Sequence, residues 1–133
     1  MTTDTSTPTT SKAMLWTGRV ISAIPVLMMG GLGTVILFAK PAMAIEGMTK
    51  YGYPAGVAKP ILIVEIICAI LYAIPQTAVL GAILLTGYLG GAVATHVHAS
   101  EAPWMPVVMG VLVWLGLFFR DARIRALAPL RLK

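Results

Sequence analysis

The sequence predicts an all-α protein: an antiparallel bundle of four transmembrane helices embedded in a bilayer. Three observations predict it. Of the 133 residues, 58% are hydrophobic and only 11% are charged, against about 25% charged in a soluble domain. The apolar residues fall into four runs, and the longest, Leu80 to His98, holds no acidic or basic side chain until it ends in two histidines. The ten Lys and Arg residues gather at the ends of those runs. A span needs roughly 20 residues to cross about 30 Å of hydrocarbon, so four is the ceiling.

In chain order, residues 1–12 are rich in Thr and Ser without apolar periodicity, which predicts a disordered tail. Residues 13–119 form the four-helix domain and residues 120–133 a basic C-terminal tail. Lys12 and Arg19 bracket Trp16, and the charge-free stretch Val20 to Ala39 is span one. A rival reading makes this stretch a secretory leader, with Ala42-Met43-Ala44 as its cleavage site. Against it stand the length of the apolar core and Gly30, Gly31, Gly33 and Thr34, which look like a helix-packing face.

Lys40 and Pro41 close span one. The connection Ala42 to Ala58 is partly apolar and carries Gly and Pro, so it is expected at the interface, where Tyr51 and Tyr53 either anchor at headgroup depth or touch a ligand. Span two runs from Pro60 to Ile74, beginning with the residue whose missing N–H a first helical turn tolerates. Pro75-Gln76 leaves room only for a tight reversal, which makes span three, Thr77 to Val97, an antiparallel neighbour. A loop with Glu101, Pro103 and Trp104 leads to span four, Pro106 to Phe119, a short span anchored by Trp104, Trp114, Phe118 and Phe119.

Four spans place both termini on one side. Lys12, Arg19, Arg120, Arg123, Arg125, Arg131 and Lys133 lie there, against Lys40, Lys50 and Lys59 opposite. The positive-inside bias then predicts cytoplasmic termini. Although the net charge is +5, the basic residues are not interleaved with stacking aromatics, which excludes nucleic acid as the expected partner. The lone Cys68 can form no internal disulfide and no CxxC motif.

Glu65 is the sharpest chemical signal. A carboxylic acid within an apolar span costs about 2.5 to 3.5 kcal/mol on insertion scales, so it must face the bundle and find a partner. It serves as a hydrogen-bonded lock between helices, as a proton donor or relay at a ligand, or as a solvated group near one face. Lys40, Lys59, His96 and His98 share its side of the bundle, and Tyr88 shares a helix face with Gly91, Ala92 and Thr95. The candidate ligand-binding residues are therefore Glu65, Tyr88, His96 and Lys40. No catalytic residue is assigned.

His96 and His98 stand about 200° apart on a helix and lack a third ligand nearby, so no metal is expected. A histidine at a helix C-terminus complements the dipole, and His96 is also a candidate acid/base partner for Glu65. Gly87 and Gly91 form a G-x-x-x-G, with Gly90 and Ala94 a second small pair, a spacing that predicts close helix packing. Met28, Met29, Met105 and Met109 read as adaptable packing rather than copper ligands. Walker, dinucleotide, HExxH and nucleophile-elbow motifs are absent.

The segments LLTGYLGGAVATHV (Leu84 to Val97), EGMTKYGYP (Glu46 to Pro54) and VEIICAILYAIPQTAVLGAILL (Val64 to Leu85) resemble the DoxX-like family of small bacterial four-helix membrane proteins, over Gly18 to Phe119. The resemblance puts Glu65 and His96 on the family's polar positions. Leu37 stands where family members often carry a lysine. Some members are similar to subunits of thiosulfate:quinone oxidoreductase and others are linked to oxidant or quinone stress. The resemblance implies a non-catalytic accessory or membrane subunit in redox or stress physiology, in a bacterial inner membrane, with a quinone as candidate ligand. Its partners would be the lipid bilayer and either a membrane or redox protein or a second copy of the chain. Two alternatives stand beside it: an enzyme using Glu65 and His96 for proton chemistry on a lipophilic substrate, and a lipid-binding scaffold.

Overall fold

The computed structural model describes residues 9–128, and every regular element among them is a helix. The first helix, α1, is Lys12–Ala39. It is followed by α2 (Pro41–Lys50), α3 (Ala58–Ala73, led in by a 3-10 turn at Ala55–Val57), α4 (Ala78–His98), α5 (Trp104–Arg120) and α6 (Ala122–Leu127). Three helical stretches, Lys12–Ala39, Ala55–Ala73 and Ala78–His98, are long and apolar enough to cross a membrane; α5 is apolar but shorter.

The helix α1 starts where Ser11 Oγ accepts from the Met14 amide at 3.2 Å, an N-cap that satisfies an orphan donor. Pro25 lies inside it and has no N–H to return to the preceding turn. The next six residues, Val26–Gly31, widen into a π-turn. That wide turn divides the helix by neighbour: α1 packs on α5 before it and on α3 beyond it. With α3 on α4 and α4 on α5, the four long helices close a ring.

Small residues set the closest approaches. A Cβ at Gly18 would lie 2.6 Å from Arg120 N and 2.8 Å from Gly116 O, joining α1 to α5. A Cβ at Gly81 would collide with the Tyr72 backbone, which closes the α3–α4 hairpin. Gly30 and Gly33 meet Ala69 and Ile66 of α3, whereas Gly31 faces only its own helix and Thr34 is exposed. At the centre, fully buried Tyr72 donates to Val113 O at 2.7 Å and shares a 2.9 Å hydrogen bond with Ser22 Oγ. Large apolar side chains such as Trp16, Leu27, Phe38, Ile67, Ile83 and Val111 lie exposed on the outside, a surface suited to lipid rather than water.

Two expectations gain detail and a third is corrected. The connection Ala42 to Ala58 is largely helical, because Pro41 starts a new helix immediately after the break at Lys40. The tail expected at residues 120–133 contains α6, whose N-terminus Asp121 caps by accepting from Arg123 N at 2.9 Å; residues 129–133, with Arg131 and Lys133, lie outside the described residues, as do residues 1–8 of the N-terminal tail. The stripe Gly87, Gly90, Gly91 and Ala94 is exposed, and Cβ atoms on its glycines would meet nothing within 4 Å. Close packing of α3 on α4 runs instead through Gly81, because the short turn forces those helices together at that end.

A cavity walled by three tyrosines and a histidine

The far end of α4 presents Tyr88, Ala92, Thr95 and His96 on one face, at the i, i+4, i+7, i+8 spacing of a helix stripe. Beside them Gly87 and Gly91 contribute no side chain. The space they leave is a partly open cavity of about 430 Å³, bordered also by Ile61 of α3, Met48 of α2, and Tyr51 and Tyr53. That volume falls in the roughly 300–1,000 Å³ range of small-molecule sites. The G-x-x-x-G predicted to seat a helix here makes room for a cavity.

Two helix ends set the tyrosines and their partners. At the end of α2, Gly52 adopts φ +81°, with Gly52 N donating to Thr49 O at 3.0 Å and Tyr53 N to Met48 O at 3.1 Å. This double bond pattern is a Schellman motif. At the end of α4 the same motif recurs with Ser100 at φ 58°: Ser100 N donates to Val97 O at 3.0 Å and Glu101 N to His96 O at 2.8 Å. The first turn swings Tyr51 and Tyr53 towards α4. The second swings Glu101 back over His96.

The two ends are clasped. Glu101 accepts from Tyr51 Oη at 2.8 Å and pairs with Lys50 Nζ at 2.7 Å, while the Tyr51 ring lies 5.3 Å from that of His96 at a 42° tilt. Tyr53 Oη and Thr95 Oγ1 are 2.8 Å apart. The bond from Lys50, and then that from Tyr51, holds the Glu101 carboxyl below its usual value. The same contacts raise Lys50 and Tyr51, because each is favoured in the form that donates to the carboxylate.

Glu65 lies behind the wall. Its Oε2 accepts from Tyr88 Oη at 2.6 Å, and the missing side chain at Gly33 of α1 gives its carboxyl room, with a Cβ there 4.0 Å from Cδ. Tyr88 therefore links the carboxyl to the cavity. His96 Nδ1 is 2.8 Å from Ala92 O; a carbonyl only accepts, so Nδ1 carries the proton and a neutral ring leaves Nε2 as an acceptor.

The four candidate residues are thus separated into a wall pair, Tyr88 and His96, a buried partner, Glu65, and an outlier. Lys40 is exposed at the break between α1 and α2 and lines no part of the cavity. Glu65 bonds Tyr88, and His96, a candidate acid/base partner for it, bonds Ala92 O instead. Met48, Ile61 and the Lys50–Glu101 clasp were missed: their partners lie far along the chain, and nothing in local spacing joins them. Among the described residues no group of three His, Cys, Asp or Glu could hold a metal. A second, more open groove of about 660 Å³ between α4 and α5 is apolar, its Trp114 Nε1 and Thr86 Oγ1 bonded to each other at 2.8 Å.

Apolar helices long enough to span a bilayer, ringed around a core and carrying a mixed polar cavity at one end, define a small integral membrane protein. The profile of the DoxX-like family matches residues 20–116, most of the chain. The chain belongs to the DoxX-like family. No curated protein and no solved structure matches it.

Proposed function

We propose that this protein is a non-catalytic accessory or membrane subunit in redox or stress physiology that binds a small lipophilic molecule, such as a quinone, in the cavity under α2. The observation that carries the reading is the cavity lining. Apolar and glycine surface surrounds a few convergent polar groups, Tyr51, Tyr53, Tyr88, Thr95 and His96, the pattern of a small-molecule site. The hydroxyl protons of Tyr51, Tyr88 and Tyr53 are taken by Glu101, Glu65 and Thr95, so the wall offers His96 Nε2 as an acceptor, to which a quinol hydroxyl could donate.

In this reading four helices span a bacterial inner membrane with both termini cytoplasmic. The 17 residues of α5 extend about 26 Å at 1.5 Å per residue, close to the hydrocarbon thickness. A membrane or redox protein is the proposed partner, or a second copy of the chain. The enzyme alternative draws support only from the Tyr88–Glu65 pair, since His96 is not joined to it.

The test is native mass spectrometry of the protein in mild detergent, with extraction of whatever co-purifies. A stoichiometric quinone or similar lipophile, lost when Gly91→Leu fills the cavity but kept in the outward-facing Phe38→Ala, supports the reading. Bulk phospholipid alone, indifferent to Gly91, overturns it.

A further inference from the structure

At the end of the bundle opposite the cavity, the start of α1, the α3–α4 turn and the end of α5 enclose a pocket of about 130 Å³ whose walls include Arg19, Pro75, Leu117, Arg120 and Asp121. Two arginines, Arg19 and Arg120, border it. The one ion pair among the described residues is Lys50–Glu101, so neither arginine has a carboxylate partner there. Asp121 is engaged at the start of α6, where Oδ1 accepts from Arg123 N.

Arg120 is held in one plane. Its Nη2 donates to Tyr72 O at 2.9 Å and its guanidinium lies 4.6 Å from the Tyr72 ring centroid. Yet its Nε is buried without a hydrogen-bond partner. A buried guanidinium donor without an acceptor is an anomaly that an anion would resolve. Arg19 faces the same space from α1, its guanidinium 5.5 Å from the Trp16 ring centroid, an aromatic of the type that marks the membrane boundary.

We propose that this pocket binds a phosphate group. Guanidinium forks match phosphate oxygens in a way that lysine does not, and the pocket is far smaller than the roughly 300 Å³ a drug-sized ligand requires. At the bundle end, where headgroups lie, the group comes from an anionic lipid or from free phosphate.

Native mass spectrometry in detergent tests this, with dioleoylphosphatidylglycerol, dioleoylphosphatidylcholine and inorganic phosphate as separate probes. One anionic lipid bound per chain, weakened about tenfold or more by Arg19→Gln through loss of a charge-assisted contact and unchanged by Arg123→Gln outside the pocket, establishes a lipid site. Displacement of that lipid by inorganic phosphate, with the same Arg19 dependence, assigns the site to phosphate itself. Arg120→Lys should weaken binding likewise, and because Arg120 also holds Tyr72, the exposed Arg19 supplies the variant that leaves the fold intact. Equal losses in Arg19→Gln and Arg123→Gln, or equal binding of both lipids whatever stands at 19, would overturn the proposal.

Discussion

Tyr88 Oη donates to Glu65 Oε2 at 2.6 Å, joining the cavity wall on α4 to the one carboxylate inside α3. Hydrogen bonds between membrane helices contribute about 0.6 kcal/mol on average and up to about 1.7. Tyr88→Phe should therefore lower stability by about 0.5–1.5 kcal/mol in detergent unfolding. Glu65→Gln, whose amide oxygen still accepts, should cost less than Glu65→Ala. If Gln retains both fold and ligand, the carboxyl works as a hydrogen-bond acceptor and proton chemistry at Glu65 is excluded.

Tyr72 makes a second interhelical link, since its one hydroxyl bonds Ser22 of α1 and Val113 of α5. Tyr72→Phe leaves the buried Ser22 hydroxyl without that partner and should destabilise by about 1–3 kcal/mol. Ser22→Ala should cost less, and the double variant less than the sum of the two, because they share a bond. Additive losses in chemical unfolding would show that the two side chains are not coupled.

The clasp over the cavity predicts a pH dependence of defined sign. Glu101 is lowered from 4.5, first by Lys50 and then by Tyr51, so its contribution stands in full above 4.5 and is lost as pH falls through the lower folded value. Lys50 is raised from 10.5 and Tyr51 from 10.0, chiefly by Glu101, so theirs stand in full below 10.0 and are lost as pH rises past the folded values. Spin-label distances between Ile45→Cys and Ala102→Cys, with Cys68→Ser, should stay constant from pH 4.5 to 10.0 and lengthen in stronger acid. Glu101→Gln should lengthen them at neutral pH.

How much of this the sequence reveals depends on how local the cause is. The spans follow from apolar length, and the expense of a carboxyl at Glu65 points to a partner that the helix face of Tyr88 supplies. The clasp does not follow, because Lys50, Tyr51 and Glu101 meet across 50 positions through two helix ends, one of which uses Ser100 at a positive φ where glycine is the usual signal. The Ser22–Tyr72 bond is hidden for the same reason. Gly87 and Gly91 mislead because absent side chains look alike whether a helix or a cavity takes the space.

Sidedness is testable through the same cysteine chemistry. With Cys68→Ser, a cysteine at Thr9 should resist an impermeant maleimide in intact cells and one at Ala102 should react. Labelling at Thr9 would reverse the orientation, and labelling at both would remove one span.

The glycines of α4 separate packing from binding. At Gly81 an added methyl strikes the Tyr72 backbone, which cannot give way as a side-chain tip can. Gly81→Ala should therefore destabilise by about 1–3 kcal/mol or more, in the range of overpacked cores. At Gly87 and Gly91 the same methyl meets open space, and a helix prefers Ala to Gly by about 0.8–1.0 kcal/mol. Gly87→Ala and Gly91→Ala should leave stability unchanged or raised, while Gly87→Leu and Gly91→Leu reduce retention of a co-purifying lipophile with little change in unfolding. Destabilisation at Gly87 comparable to that at Gly81 would mean that a helix, from a partner or a second copy of this chain, occupies the space assigned here to a ligand.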